Sequence, residues 1–179
     1  KSSRVPQYVM EYCKPGGVVV VTQPRRLACI TLANRVASEL DESVGQSVGY
    51  KISGDNRSCP NTRLLFVTTG YLLQVLVTNP SYINQFSHVI LDEVHERTVD
   101  ADLLSLVLKL QLEHARSVRS NGFRLVVMSA TLQGNLFAKY FSQAGAMIPK
   151  PIFVGVKRYN VDTLYLEDLA CLEKEFDRP

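Results

Sequence analysis

The chain has 179 residues, 46% of them hydrophobic, and a formal net charge of +3 from 20 Lys and Arg against 17 Asp and Glu. That supplies apolar material for one sizeable core in one domain, and the small positive excess says little about partners until the basic residues are placed. Four cysteines (Cys13, Cys29, Cys59, Cys171) show no CxxC pairing and three histidines are scattered, so neither a zinc site nor a disulfide framework is suggested. No apolar run reaches the roughly 18 residues of a membrane span and the N-terminus lacks a secretory layout, so a soluble, intracellular protein with no membrane partner is expected.

The chain opens KSSRVPQYVMEY. Lys followed by Ser at the head of a helix is how a phosphate-binding loop ends. In that reading Lys1 reaches the β- and γ-phosphates, Ser2 places its hydroxyl on magnesium, and the N–H groups of the first turn face the anion. A Lys-Ser pair is also commonplace and decides nothing alone. After the turn-rich Lys14–Gly17, short runs rich in Val, Ile and Leu recur at Val18–Thr22, Leu64–Thr68, His88–Leu91 and Leu125–Met128. They have the pattern of strands buried on both faces of a parallel sheet. Between them, Leu27, Ile30, Ala33, Val36 and Leu40, and later Leu103, Leu106, Val107 and Leu110, fall at helical steps and are expected to pack against that sheet. The polar patch Ser53–Asn61 and the segment Ser142–Pro151 read as loops, and IFVGVKRYNVDTLYLEDL after Pro151 reads as a final strand and a departing segment. An α/β fold follows, a mostly parallel sheet with helices on both faces.

Four polar clusters follow apolar runs: TQPRR at Thr22–Arg26, Thr68-Thr69-Gly70, DEVHER at Asp92–Arg97, and SAT at Ser129–Thr131. In an open parallel sheet, ligands bind beyond the carboxyl ends of the strands, which is where all four belong. Adjacent carboxylates there can divide labour. One of Asp92 and Glu93 binds a divalent cation, and the other orients or deprotonates a water. The alternative is a solvated turn favoured by a helix dipole. Likewise His95 can simply hydrogen-bond a loop, and Ser129 and Thr131 can cap a following helix. Arg25 and Arg26 at a helix start oppose its dipole, which a nearby anion would explain.

With these clusters in this order, the sequence resembles the DEAH-box helicases of superfamily 2, specifically their first RecA-like domain, a P-loop NTPase fold. KSSRVPQY looks like the tail of motif I, TQPRR like motif Ia, TTGYLL like motif Ib, DEVH like motif II and SAT like motif III. HERTVDADLL is closest to the RNA-helicase-A-like branch. The likeness runs over residues 1–165 and leaves 166–179 as the start of a segment leading to a second RecA-like domain.

The resemblance implies that Lys1 and Ser2 hold the phosphates of ATP and Mg2+, that Asp92 coordinates the magnesium through water, and that Glu93 polarises the hydrolytic water. It implies that His95 couples the nucleotide to the second domain, that Ser129 and Thr131 link hydrolysis to domain motion, and that Arg25, Arg26 and Thr69 contact the backbone of single-stranded RNA. The function implied is an ATP-dependent RNA helicase, unwinding RNA or remodelling ribonucleoprotein, with activator proteins as possible partners. A non-catalytic RNA-binding scaffold is the alternative. A DNA helicase or a nucleic-acid-independent P-loop ATPase is a third reading, because backbone contacts do not separate RNA from DNA. Three departures stand out. The glycine-rich half of motif I and the second domain lie outside the chain, so this segment is expected to be a fragment, inactive alone. Ser53 also stands where the family often has an arginine.

Overall fold

The computed structural model describes residues 1–14, 16–118, 122–130, 134–142, 148–153 and 165. Among these a six-stranded sheet runs in the order β3-β2-β4-β1-β5-β6. Its strands are β1 (Val18–Gln23), β2 (Val48–Ile52), β3 (Asp55–Arg57), β4 (Leu64–Thr68), β5 (Phe86–Leu91) and β6 (Arg124–Val127). All neighbouring pairs are parallel except β2 with β3 at one edge. The four strands expected from the apolar runs are present within a residue or two of their expected limits. The expected final strand at 152–169 lies almost wholly outside the described residues.

Period-two alternation sorts the strand side chains into two cores. Val19 and Val21 of β1 and Leu64 and Phe66 of β4 face the side covered by α1 (Arg4–Tyr12) and α2 (Arg26–Glu39). Val20, Leu65, Val67 and Val89 face α3 (Thr69–Thr78) and α4 (Val99–Ser117), with Phe137 of α5 (Gly134–Phe141) joining that core. The β-branched run at the head of β1 is fully excluded from solvent at Val19, Val20 and Val21, as expected for a central strand with helices on both faces.

The helix boundaries have local causes. Pro6 sits in the first turn of α1, where its missing N–H would have had no intrahelical partner. Thr98 caps α4, its hydroxyl oxygen accepting from Ala101 N at 3.3 Å, while Asp100 and Asp102 favour the positive end of that helix and His114 and Arg116 its negative end. At the end of α2, Glu42 N donates to Ala37 O and Asp41 N to Ser38 O, the paired bonds of a Schellman stop. Asp41 accordingly lies at φ 55°, a position usually given to glycine.

Three expectations are corrected. The α4 face against the sheet carries Leu104 and Leu108, both fully buried, whereas Leu103, Leu106 and Leu110 are about half exposed and Val107 only partly covered. On α2 the buried face is Cys29, Ala33, Val36 and Ala37, with Leu27 turned to solvent and Leu40 partly exposed. In both helices apolar residues occupy more than one face, so three- and four-residue spacing is satisfied in more than one register. The polar patch Ser53–Asn61 also contains a strand. β3 returns antiparallel to β2 through the two-residue loop Ser53-Gly54, where Gly54 takes φ 81°. Ser53, the departure from the family pattern, is this exposed turn residue.

Candidate functional site

β1, β4, β5 and β6 all point their carboxyl ends to one edge, and the four polar clusters continue from those ends. The neighbouring register carries Thr22 beside Leu91 and Gln23 beside Thr68, so TQPRR lies between the other two central clusters. Spatial convergence is thus a consequence of parallel pairing.

Asp92 is the centre. It follows the last residue of β5 and is 4% exposed, with its carboxylate wholly buried. Oδ2 accepts a 2.7 Å hydrogen bond from Gln23 Nε2, and Oδ1 accepts from Glu93 N at 3.0 Å. Lys1 Nζ stands 3.9 Å from Oδ1, bringing the start of the chain to the end of β5. Ser2, half-buried, lies two residues before the helical start of α1, with Ser3 at the N-cap between them. The Ser2 hydroxyl and the Asp92 carboxylate are hard oxygen donors. Among the described residues no group of three or more His, Cys, Asp or Glu could cage a metal. A single buried carboxylate with one lysine 3.9 Å away fits magnesium, which keeps several waters and completes its shell with substrate phosphates.

The chain then turns sharply. Glu93 takes φ 54° and ψ 33°, the short 3₁₀ turn Val94–Glu96 follows, and Arg97 takes φ 48° and ψ 41°. Left-handed backbone costs an L-residue roughly 1–2 kcal/mol, and such strain concentrates where side chains must be aimed. Val94 N donates to Met128 O and Met128 N to Leu91 O, tying the turn to the end of β6. Val94 is buried beneath the turn, while Glu93 and His95 remain partly accessible. Nδ1 of His95 lies 3.2 Å from Glu93 Oε2 and 3.3 Å from Ala130 N, so the histidine is within reach of both DEVH and the middle of SAT. Ser129 flanks that contact, and Thr131 lies outside the described residues.

Arg25 and Arg26 are exposed at the start of α2, and Arg25 Nη2 reaches Glu96 Oε1 at 3.3 Å. An exposed pair of this kind contributes at most about 1 kcal/mol and releases its arginine readily to a stronger anion. Thr69 opens α3 but is only 5% exposed, unlike Arg25 and Arg26. Gly70 follows it, and a Cβ there would come 2.7 Å from Asp100 Oδ2; the missing side chain lets the starts of α3 and α4 sit together. Arg97 is gripped by Asp102 through Nε at 2.8 Å and Nη2 at 3.0 Å, and that hydrogen-bonded carboxylate raises the guanidinium pKa above its ordinary value.

Sequence reasoning named Asp92, Glu93, His95, Lys1 and Ser2 but missed Gln23 and Glu96. The available signal for Gln23 was its place at the end of a strand, inside TQPRR.

Residues 5–138 match the DEAD/DEAH box helicase family. The chain belongs to that family. This DEAD/DEAH-box domain is 38% identical over 98% of its length to spindle-E of Anopheles gambiae, of which it spans 12%. It is 37% identical over 97% of its length to the DExH-box ATP-dependent RNA helicase DExH1 of Arabidopsis thaliana, of which it spans 17%. Among solved structures, the DEAH/RHA helicase HrpB of Escherichia coli superposes with a TM-score of 0.62 at 37% identity, covering 74% of this chain and 16% of that one. The six-stranded, mostly parallel sheet is the RecA-like α/β fold of such helicases. The helicase domain therefore spans less than a quarter of the length of these relatives. Among the described residues no helix is long and apolar enough to cross a membrane.

Proposed function

We propose that this domain, residues 1–165, is the nucleotide-hydrolysing half of an ATP-dependent RNA helicase, completed by a second RecA-like domain of the same protein. The observation that carries this reading is the convergence on Asp92: Lys1 Nζ 3.9 Å from one oxygen, Glu93 next in the chain on a strained turn, and His95 beside Glu93.

In this reading Lys1 binds the β- and γ-phosphates, and Ser2 and Asp92 hold the magnesium. When bound there, the metal would supply positive charge to offset the charge of the phosphates. Glu93, aimed by its left-handed backbone and held by His95, accepts the proton of the attacking water. Ser129 and Thr131 carry the change at the phosphate to the domain interface, since the same loop touches His95 through Ala130. Arg25 and Arg26, with Thr69, contact the phosphates of a single strand; contacts of that type position the strand and carry little base specificity. The names of the relatives support RNA as the polynucleotide.

The test is Glu93→Gln in the full-length protein, assayed for ATP hydrolysis with and without single-stranded RNA. Loss of a positioned general base is expected to cost about 10²–10⁴-fold in turnover while nucleotide binding survives. Hydrolysis within a few-fold of wild type would overturn the assignment. RNA binding without any hydrolysis by the wild-type protein would leave a scaffold in its place.

A further inference from the structure

Asp92 has two oxygens with different surroundings. Oδ1 faces Lys1 and the Glu93 N–H, on the side of the phosphate site, and Oδ2 faces inward to Gln23. A carboxylate offers only acceptors, so the nitrogen of the Gln23 amide must be the atom turned toward it. Gln23 is 3% exposed and ends β1; its backbone is paired to Thr68 of β4, which fixes the point from which the side chain reaches Asp92. At 2.7 Å this is among the shorter polar contacts of the structure, and it joins residues 69 positions apart across adjacent strands. The chemistry of the partner also matters. A lysine or arginine in its place would add a second cation to Lys1 beside Asp92 and compete with the metal, whereas a neutral amide fixes rotation about the Cβ–Cγ bond without adding charge.

We propose that Gln23 is a positioning residue for magnesium: by holding Oδ2 of Asp92, it aims Oδ1 at the metal coordinated with the nucleotide. The inference rests on the reading of Asp92 as a magnesium ligand. It assigns a nucleotide-site role to a residue of TQPRR whose neighbours Arg25 and Arg26 face the strand-binding edge, so one five-residue segment serves both ligands.

The experiment measures the affinity of a fluorescent ADP analogue for the full-length helicase with magnesium and with EDTA, without turnover. The readout is the ratio of the two affinities. Gln23→Met keeps the length and removes the donor. Loss of a hydrogen bond to a metal-binding carboxylate is expected to reduce the magnesium-dependent gain by about 10–100-fold, with the EDTA affinity unchanged. A merely structural role would lower the unfolding temperature and leave that ratio intact, and an intact ratio would overturn the proposal. Asp92→Asn separates the two levels of inference. If it abolishes the gain while Gln23→Met does not, only the positioning role fails. If the gain survives in Asp92→Asn, or is absent from the wild type, the ligand assignment fails and the proposal with it. Should Gln23→Met not fold, Gln23→Leu removes the donor with a different shape; retention of the full gain there would equally overturn the inference.

Discussion

Nδ1 of His95 lies 3.2 Å from Oε2 of Glu93 and 3.3 Å from the backbone nitrogen of Ala130, and one ring nitrogen cannot serve both at once. Carrying a proton, it donates to the Glu93 carboxylate; without one, its lone pair accepts from the Ala130 N–H. The histidine therefore gives the Ala130 backbone and the Glu93 carboxylate mutually exclusive contacts, the arrangement the proposed coupling role needs. His95→Ala in the full-length protein is expected to lower strand displacement about tenfold more than it lowers ATP hydrolysis. Parallel displacement and phosphate-release assays on one preparation check this, and equal losses would place His95 in the chemistry instead of the coupling.

The stop of α2 predicts a stabilising substitution. Asp41 occupies the left-handed position of a Schellman motif at φ 55°, is exposed, and uses its backbone N–H to reach Ser38 O. Glycine adopts that backbone without the penalty an L side chain incurs. Asp41→Gly should raise stability by about 0.5–1 kcal/mol, seen as a higher urea midpoint for this domain with an unchanged slope.

Thiol reactivity should divide sharply by position. Cys29 is fully buried on the inner face of α2, and burial pushes its pKa up to about 12, while Cys59 is exposed beside β3. Only the thiolate attacks an alkylating reagent, so at pH 8 Cys29 is expected to react on the order of 10³-fold more slowly than an ordinary thiol. Brief iodoacetamide treatment followed by peptide mass analysis should find Cys59 modified and Cys29 intact, with Cys29 labelled only after denaturation.

The convergence of the site was legible from sequence because it depends on one rule. Parallel strands end at a common edge, so TQPRR, TTG, DEVHER and SAT, each following a strand-like run, had to meet there. The edge hairpin was less legible. Val48–Ile52 contains Gly49 and Lys51, and Asp55–Arg57 is polar, so neither shows a strong strand pattern. They pair because β4 offers a free edge to β2, and β2 in turn offers one to β3.

Apolar periodicity is a local property, and the sequence by itself determined where four central strands and their polar ends would fall. It could not choose the inner face of α4, because Leu103, Leu106 and Leu110 repeat at helical spacing as well as Leu104 and Leu108 do; packing against β5 and α3 decided that. Nor could it set Gln23 against Asp92, since that contact needs β5 beside β1 in the register that pairs Thr22 with Leu91. Strand order and register depend on the burial of the whole sheet at once, so the partner of the buried carboxylate was a decision of the tertiary structure.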